Sequence, residues 1–130
     1  MLFLYPNISL YICMHNGMKK DYHIKSRFWI ETKEGTFLGD GKVKLLQSIQ
    51  INGSISAAAR DLGISYRKAW KMIDVMNSQA SKPLVERQIG GKKGGGTQVT
   101  QNGLDAIQSF LALKKKCADF MNTEFEKLQF

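Results

Sequence analysis

Arg67, Lys68 and Lys71 fall within five residues, and Lys92 and Lys93 stand in the run GGKKGGG with five glycines around them. Clustered guanidinium and ammonium groups donate hydrogen bonds to phosphate oxygens and to guanine O6 and N7, so the chemistry they suit is recognition of a polyanion. The whole chain leans the same way. Nineteen Lys and Arg against eleven Asp and Glu give 130 residues a formal net charge of +8 and a pI near 9.6. Over residues 54–103 eight cations face three acids, so this stretch carries +5 of that charge.

Groups that make or break bonds are not assembled in the pattern. The acids are scattered, and His15 and His23 have no ligand-type neighbours at metal spacing. Cys13 and Cys117 lie far apart and outside any CxxC arrangement, which suggests neither a disulfide nor a zinc site and fits a reducing cytoplasm. No catalytic residue, metal or cofactor is expected. The glycine-rich run is not a nucleotide-phosphate loop either, because no Gly-Lys-Ser/Thr follows it and no helix opens there.

The cations at 67, 68 and 71 need a rigid element, and the spacing predicts a helix from about Tyr66 to Gln79 that buries Ala69, Ile73 and Met76 and turns them outward. Ser65 can cap it, and its N-terminal dipole adds to their positive potential. Just upstream, Ile55, Ala58, Ala59 and Leu62 at i, i+3, i+4 and i+7 predict a short helix capped by Ser54. Gly63 ends that helix by taking the left-handed conformation, and Ile64 tucks into the core. Two capped helices with one tight turn between them are a helix-turn-helix, whose second helix enters the major groove. A solvated charged face is the ordinary account of three helical cations, and the capped turn upstream tips the balance toward recognition. Tyr66 and Trp70 stay open at this level, since an aromatic there suits the core as well as a groove.

The flanks supply a frame. "RFWIETKEGTFLG" predicts a β-hairpin turning at Lys33-Glu34-Gly35. "GDGKVKLLQSIQING" predicts a helix with Val43, Leu46 and Ile49 inward, joined less regularly by Leu45 and Ile51, ending at Asn52-Gly53. After Pro83, a strand through Leu84, Val85 and Ile89 and a return from Thr97 to Val99 bracket the glycine run as a wing, whose tip can lay its backbone amides, Lys92 and Lys93 along a phosphate backbone or a minor groove, with Arg87 and Arg60 adding non-specific attraction. A plain flexible hairpin is the bland alternative.

Thr100 can cap a last helix, which would extend about 40 Å if continuous from Leu104 to Phe130. Its apolar positions, Leu104, Ile107, Phe110, Leu111, Leu113, Cys117, Phe120, Met121, Phe125 and Leu128, cover more than one face. A second copy of the same helix is the economical cover, giving a homodimer; folding back across its own domain is the alternative. At the other end "MLFLYPNISLYICMHNGM" is apolar, has no basic residue before Lys19, and is too short to span a bilayer, so no membrane partner is expected. It reads as an extended or disordered leader, or as a start assigned upstream of Met18.

"GSISAAARDLGISYRKAWKMIDVMN", followed by "PLVERQIGGKKGGGTQVTQNG", resembles the N-terminal winged-helix domain of the ModE family of molybdate-responsive regulators and, less closely, the LysR-type DNA-binding domain. The similarity runs over residues 26–112. It implies that Ser65, Tyr66, Arg67 and Lys71 serve a recognition helix, that 90–96 form the wing, and that flanking helices make a dimer. The family holds molybdate in separate C-terminal β-barrels to which no segment of these 130 residues corresponds. The resemblance therefore implies DNA binding, leaves molybdate sensing open, and leaves a place for a separate effector-sensing partner.

The expected fold is mainly α with small β elements: a winged helix-turn-helix over 19–100 with an N-terminal β-hairpin, behind an apolar leader at 1–18 and ahead of a long dimerisation helix over 101–130. The expected function is sequence-specific binding of double-stranded DNA by a cytoplasmic transcription regulator, through Ser54, Ser56, Ser65, Tyr66, Arg67, Lys68, Lys71, Arg87, Lys92 and Lys93. The competing expectation is a winged-helix adaptor that binds protein, which lacks the steep salt dependence of phosphate contacts.

Overall fold

The computed structural model describes residues 21–89 and 96–130. The leader expected at 1–18 and the wing-tip residues Lys92 and Lys93 lie outside them. The chain runs β1 (Ile30–Thr32), β2 (Gly35–Leu38), α1 (Asp40–Asn52), α2 (Ile55–Leu62), α3 (Tyr66–Gln79), β3 (Val85–Gln88), β4 (Gly96–Val99) and α4 (Gln101–Glu126). β1 and β2 form one antiparallel hairpin and β3 and β4 another. This is a winged helix-turn-helix with an N-terminal hairpin and a long C-terminal helix.

The first hairpin turns at Lys33 and Glu34, after which Gly35 takes φ 117°, a conformation open to glycine and strained for other residues. It ends on the buried Leu38 and leads straight into α1. The Lys42 ammonium on α1 donates back to the Thr36 carbonyl, and desolvation there lowers its pKa below the ordinary lysine range.

The core lies where α1, α2, α3 and the start of α4 meet. Val43, Leu45, Leu46 and Ile49 enter it from α1, Ile55, Ala58 and Ala59 from α2, and Ala69, Ile73 and Met76 from α3. Each fully buried large aliphatic contributes about 1.5–3 kcal/mol of transfer free energy. Small residues on α2 let α1 pack closely, and a part-buried polar link reinforces that contact: Ser48 Oγ donates to Asp61 Oδ2 at 2.8 Å. Leu45 is fully buried, whereas Ile51 is 82% exposed. The weak α1 periodicity noted in the sequence thus resolves into one core residue and one on the solvent side, because Ile51 sits in the last turn, facing away from α2 and α3.

Leu84 and Phe110 close the core from below. Leu84 is buried just before β3, so the predicted strand begins one residue later than its apolar pattern. Ile89, expected in the same strand, lies beyond it and is 97% exposed, since pairing stops at Gln88 opposite Gly96. Thr100 straps this region together. Its Oγ1 accepts from Gly103 N as the α4 cap and donates to Pro83 O at 2.7 Å, while its amide donates to Leu84 O at 3.0 Å.

α4 spans 26 residues, about 39 Å. Gly103, Ile107 and Phe110 are buried, with the Phe110 ring 5.2 Å from Phe28, and Lys114 pairs with Asp40 at 2.7 Å. Past these, Leu111, Leu113 and Phe120 are exposed. The helix stops at Glu126 instead of running to Phe130. Short turns from Lys127 N to Glu124 O and from Leu128 N to Phe125 O bring the Phe130 ring to 5.0 Å from Tyr22 and 6.3 Å from Phe125. Aromatic contact takes the place of a last helical turn.

Candidate nucleic-acid interface

The interface is built on two serine caps. Ser54 Oγ accepts from Ala57 N and Ser65 Oγ from Lys68 N, each at 3.0 Å, and Gly63 between the helices takes φ 66°. The caps define where α2 and α3 start, hence which residues of α3 face outward. Ser65→Ala should cost about 1 kcal/mol, read as a lowered midpoint in thermal unfolding, with the hydroxyl-bearing Ser65→Thr retaining most of the stability.

From that start Ala69, Ile73 and Met76 turn inward, and Tyr66, Arg67, Lys68 and Lys71 are exposed. The ion pairs among the described residues, Lys114–Asp40, Lys115–Asp119 and Lys127–Glu124, involve none of these cations. Their positive potential is left for an outside anion.

Beside α3 the second hairpin is seated by three devices. Asn77, in the last turn of α3, accepts from Leu84 N at 2.8 Å and Val85 N at 3.3 Å and donates to Val85 O at 3.0 Å. Thr97 N donates to Gly53 O at 3.0 Å, tying β4 to the end of α1. Gly96 is needed there, since a Cβ would stand 2.9 Å from that same carbonyl. Nothing in the sequence pattern marks Asn77, because its partners lie beyond the bend at Pro83.

The third device is aromatic. Trp70 is half-buried against the core, so it belongs partly to both of its open alternatives. Tyr66 meets it edge-on at 6.2 Å and 82°, and the Arg87 guanidinium lies over its ring with Cζ 4.9 Å from the centroid. On the other face of the hairpin, Gln98 donates to Glu86 and accepts from Gln88, both at 2.8 Å.

These elements enclose an open groove of about 550 Å³ whose lining includes Ser54, Ser56, Tyr66, Trp70, Arg87 and Thr97. The structure thus brings Ser54, Ser56, Tyr66 and Arg87 to one groove and leaves Arg67, Lys68 and Lys71 on the exposed side of α3. Among the described residues no group of three His, Cys, Asp or Glu side chains could hold a metal ion. No helix there is long and apolar enough to cross a membrane.

Residues 41–104 match the bacterial regulatory helix-turn-helix proteins of the lysR family. The chain is 39% identical over 103 residues to the Azotobacter vinelandii molybdenum transport protein ModE, covering 79% of this chain and 38% of that protein. It is 37% identical over 86 residues to the Haemophilus influenzae transcriptional regulator ModE, covering 66% and 34%. With the Escherichia coli K12 DNA-binding transcriptional dual regulator ModE it shares 41% over 81 residues, covering 62% and 31%. The chain therefore spans about a third of the length of these curated relatives.

Proposed function

We propose that this chain carries a ModE-like helix-turn-helix domain of the lysR regulatory type and that it is a sequence-specific DNA-binding transcription regulator of the cytoplasm. The observation that carries the proposal is the exposed trio Arg67, Lys68 and Lys71 at the capped start of α3, unpaired with any acid among the described residues. α3 enters the major groove by its N-terminal end, where Arg67 donates to a guanine edge and Lys68 and Lys71 reach phosphates. Ser54, Ser56, Ser65 and Tyr66 line the approach. Arg87, with Lys92 and Lys93 of the wing, follows the flanking backbone.

Two copies joined through α4 present two such helices to a two-fold site, which matches the exposed Leu111, Leu113 and Phe120 on its outer part. The signal that governs binding comes through a separate sensing element or partner. Ligand specificity in the full-length relatives does not transfer to a chain that spans a third of them.

Fluorescence-anisotropy titration of labelled duplex from the protein's own upstream region, against a scrambled duplex at two salt concentrations, tests the proposal. Tight, selective and salt-sensitive binding is expected; equal weak binding to both duplexes at both salts favours the protein-binding adaptor. Arg67→Ala should lose about 1–3 kcal/mol on the preferred site and little on the scrambled one. Equal losses on both duplexes would assign Arg67 to the backbone.

A further inference from the structure

We infer that Trp70 is a positioning residue for DNA binding: its indole ring holds the Arg87 guanidinium over it, so that the guanidinium N–H donors are offered to a backbone phosphate. The inference rests on the DNA-binding function proposed above.

Trp70 is fixed from behind by the core and from the side by the edge-on Tyr66 ring, so it is a rigid support. With Cζ 4.9 Å from the ring centroid, Arg87 is within cation–π range. A guanidinium carries five N–H donors around its planar rim, and a cation–π contact with a ring does not use up all of them. The nearest acid in sequence, Glu86, is on the opposite face of the hairpin and is bonded to Gln98. No ion pair among the described residues includes Arg87. A guanidinium held over a ring, with no ion pair of its own, on the wall of the groove beside the recognition helix, suits the paired oxygens of a phosphate. Because the ring immobilises the side chain beforehand, binding need not order it.

The link also crosses elements: Trp70 belongs to α3 and Arg87 to β3. One ring thereby sets a phosphate anchor of the wing in register with the base-reading helix.

The test is anisotropy titration of the full chain with one short duplex, about two helical turns long, over a series of salt concentrations, for wild type, Arg87→Gln, Trp70→Leu and the double variant. Arg87→Gln should weaken binding about 3–10-fold at low salt and reduce the magnitude of the log–log salt slope by about 0.9, the share of one phosphate contact. Trp70→Leu removes no charge, yet it should reproduce both changes, and the double variant should bind within about twofold of Arg87→Gln. A merely structural Trp70 would lower the bindable fraction with an unaltered slope. If thermal unfolding finds Trp70→Leu unfolded, Trp70→Phe is read instead: it should show a smaller loss of the same kind in the wild-type background and none in the Arg87→Gln background. An unchanged slope, or losses that multiply in the double variant, would overturn the inference while leaving DNA binding intact. Failure of the wild type to bind any duplex at low salt would remove the functional proposal and this inference together.

Discussion

Gly103→Ala is expected to destabilise the protein by about 2–3 kcal/mol and to lower its Tm by about 10 °C. A methyl group there would stand 2.3 Å from the Leu84 carbonyl oxygen and 2.5 Å from Val99 Cγ1. The valine can swing aside. The carbonyl cannot, because Leu84 is fully buried and its oxygen accepts from Thr100 N at 3.0 Å. Relief therefore requires α4 to move off the core, which loosens Ile107 and Phe110. Gly41→Ala in the first turn of α1 is the matched control. Nothing lies within 4 Å of its Cβ position, and alanine should be neutral or stabilising by about 0.5 kcal/mol. Circular-dichroism melts of both variants check the pair; equal Tm values would mean that α4 does not seat on Leu84.

Asn77→Ala is expected to cost about 2–4 kcal/mol, from three lost hydrogen bonds and the part-buried backbone groups of Leu84 and Val85 left without their partner. Asn77→Asp separates the two halves of the effect. It keeps the acceptor for Leu84 N and Val85 N but sets a carboxylate oxygen against Val85 O in place of a donor. Urea unfolding should rank wild type above both variants. Limited trypsin digestion should cut Arg87 sooner in both, since the base of the second hairpin is no longer held to α3. Wild-type cleavage rates in Asn77→Ala would show that β3 is seated by the core alone.

How far the sequence discloses this fold depends on the range of the interaction. The caps Ser54, Ser65 and Thr100, the left-handed Gly63 and the bounds of α3 are local events, and all are legible in the residues themselves. The fate of Ile51 and Ile89 is not, because an apolar side chain at a helix or strand end is placed by what packs over it; here nothing does. The end of α4 likewise turns on Phe130 meeting Tyr22, a contact between the two ends of the described chain that periodicity in the last helix cannot register. In the interface, the exposed cations follow from helical phase. The cation–π contact of Arg87 with Trp70 and the Asn77 clamp depend on how β3 comes back past α3, so the residue types were legible and their partnership was not.

The bond from Thr97 N to Gly53 O and the ion pair from Lys114 to Asp40 bear on the order in which the protein is made. α1, α2 and α3 meet through contacts close in sequence, so a nascent chain can begin to assemble them once Gln79 has left the ribosome. Until Phe110 and Lys114 follow, the underside of that trio lacks its cover, and the second hairpin lacks α4 to brace it. A chain stalled in translation between Gln79 and Phe110 is expected to expose the apolar side chains that Ile107 and Phe110 cover in the folded protein.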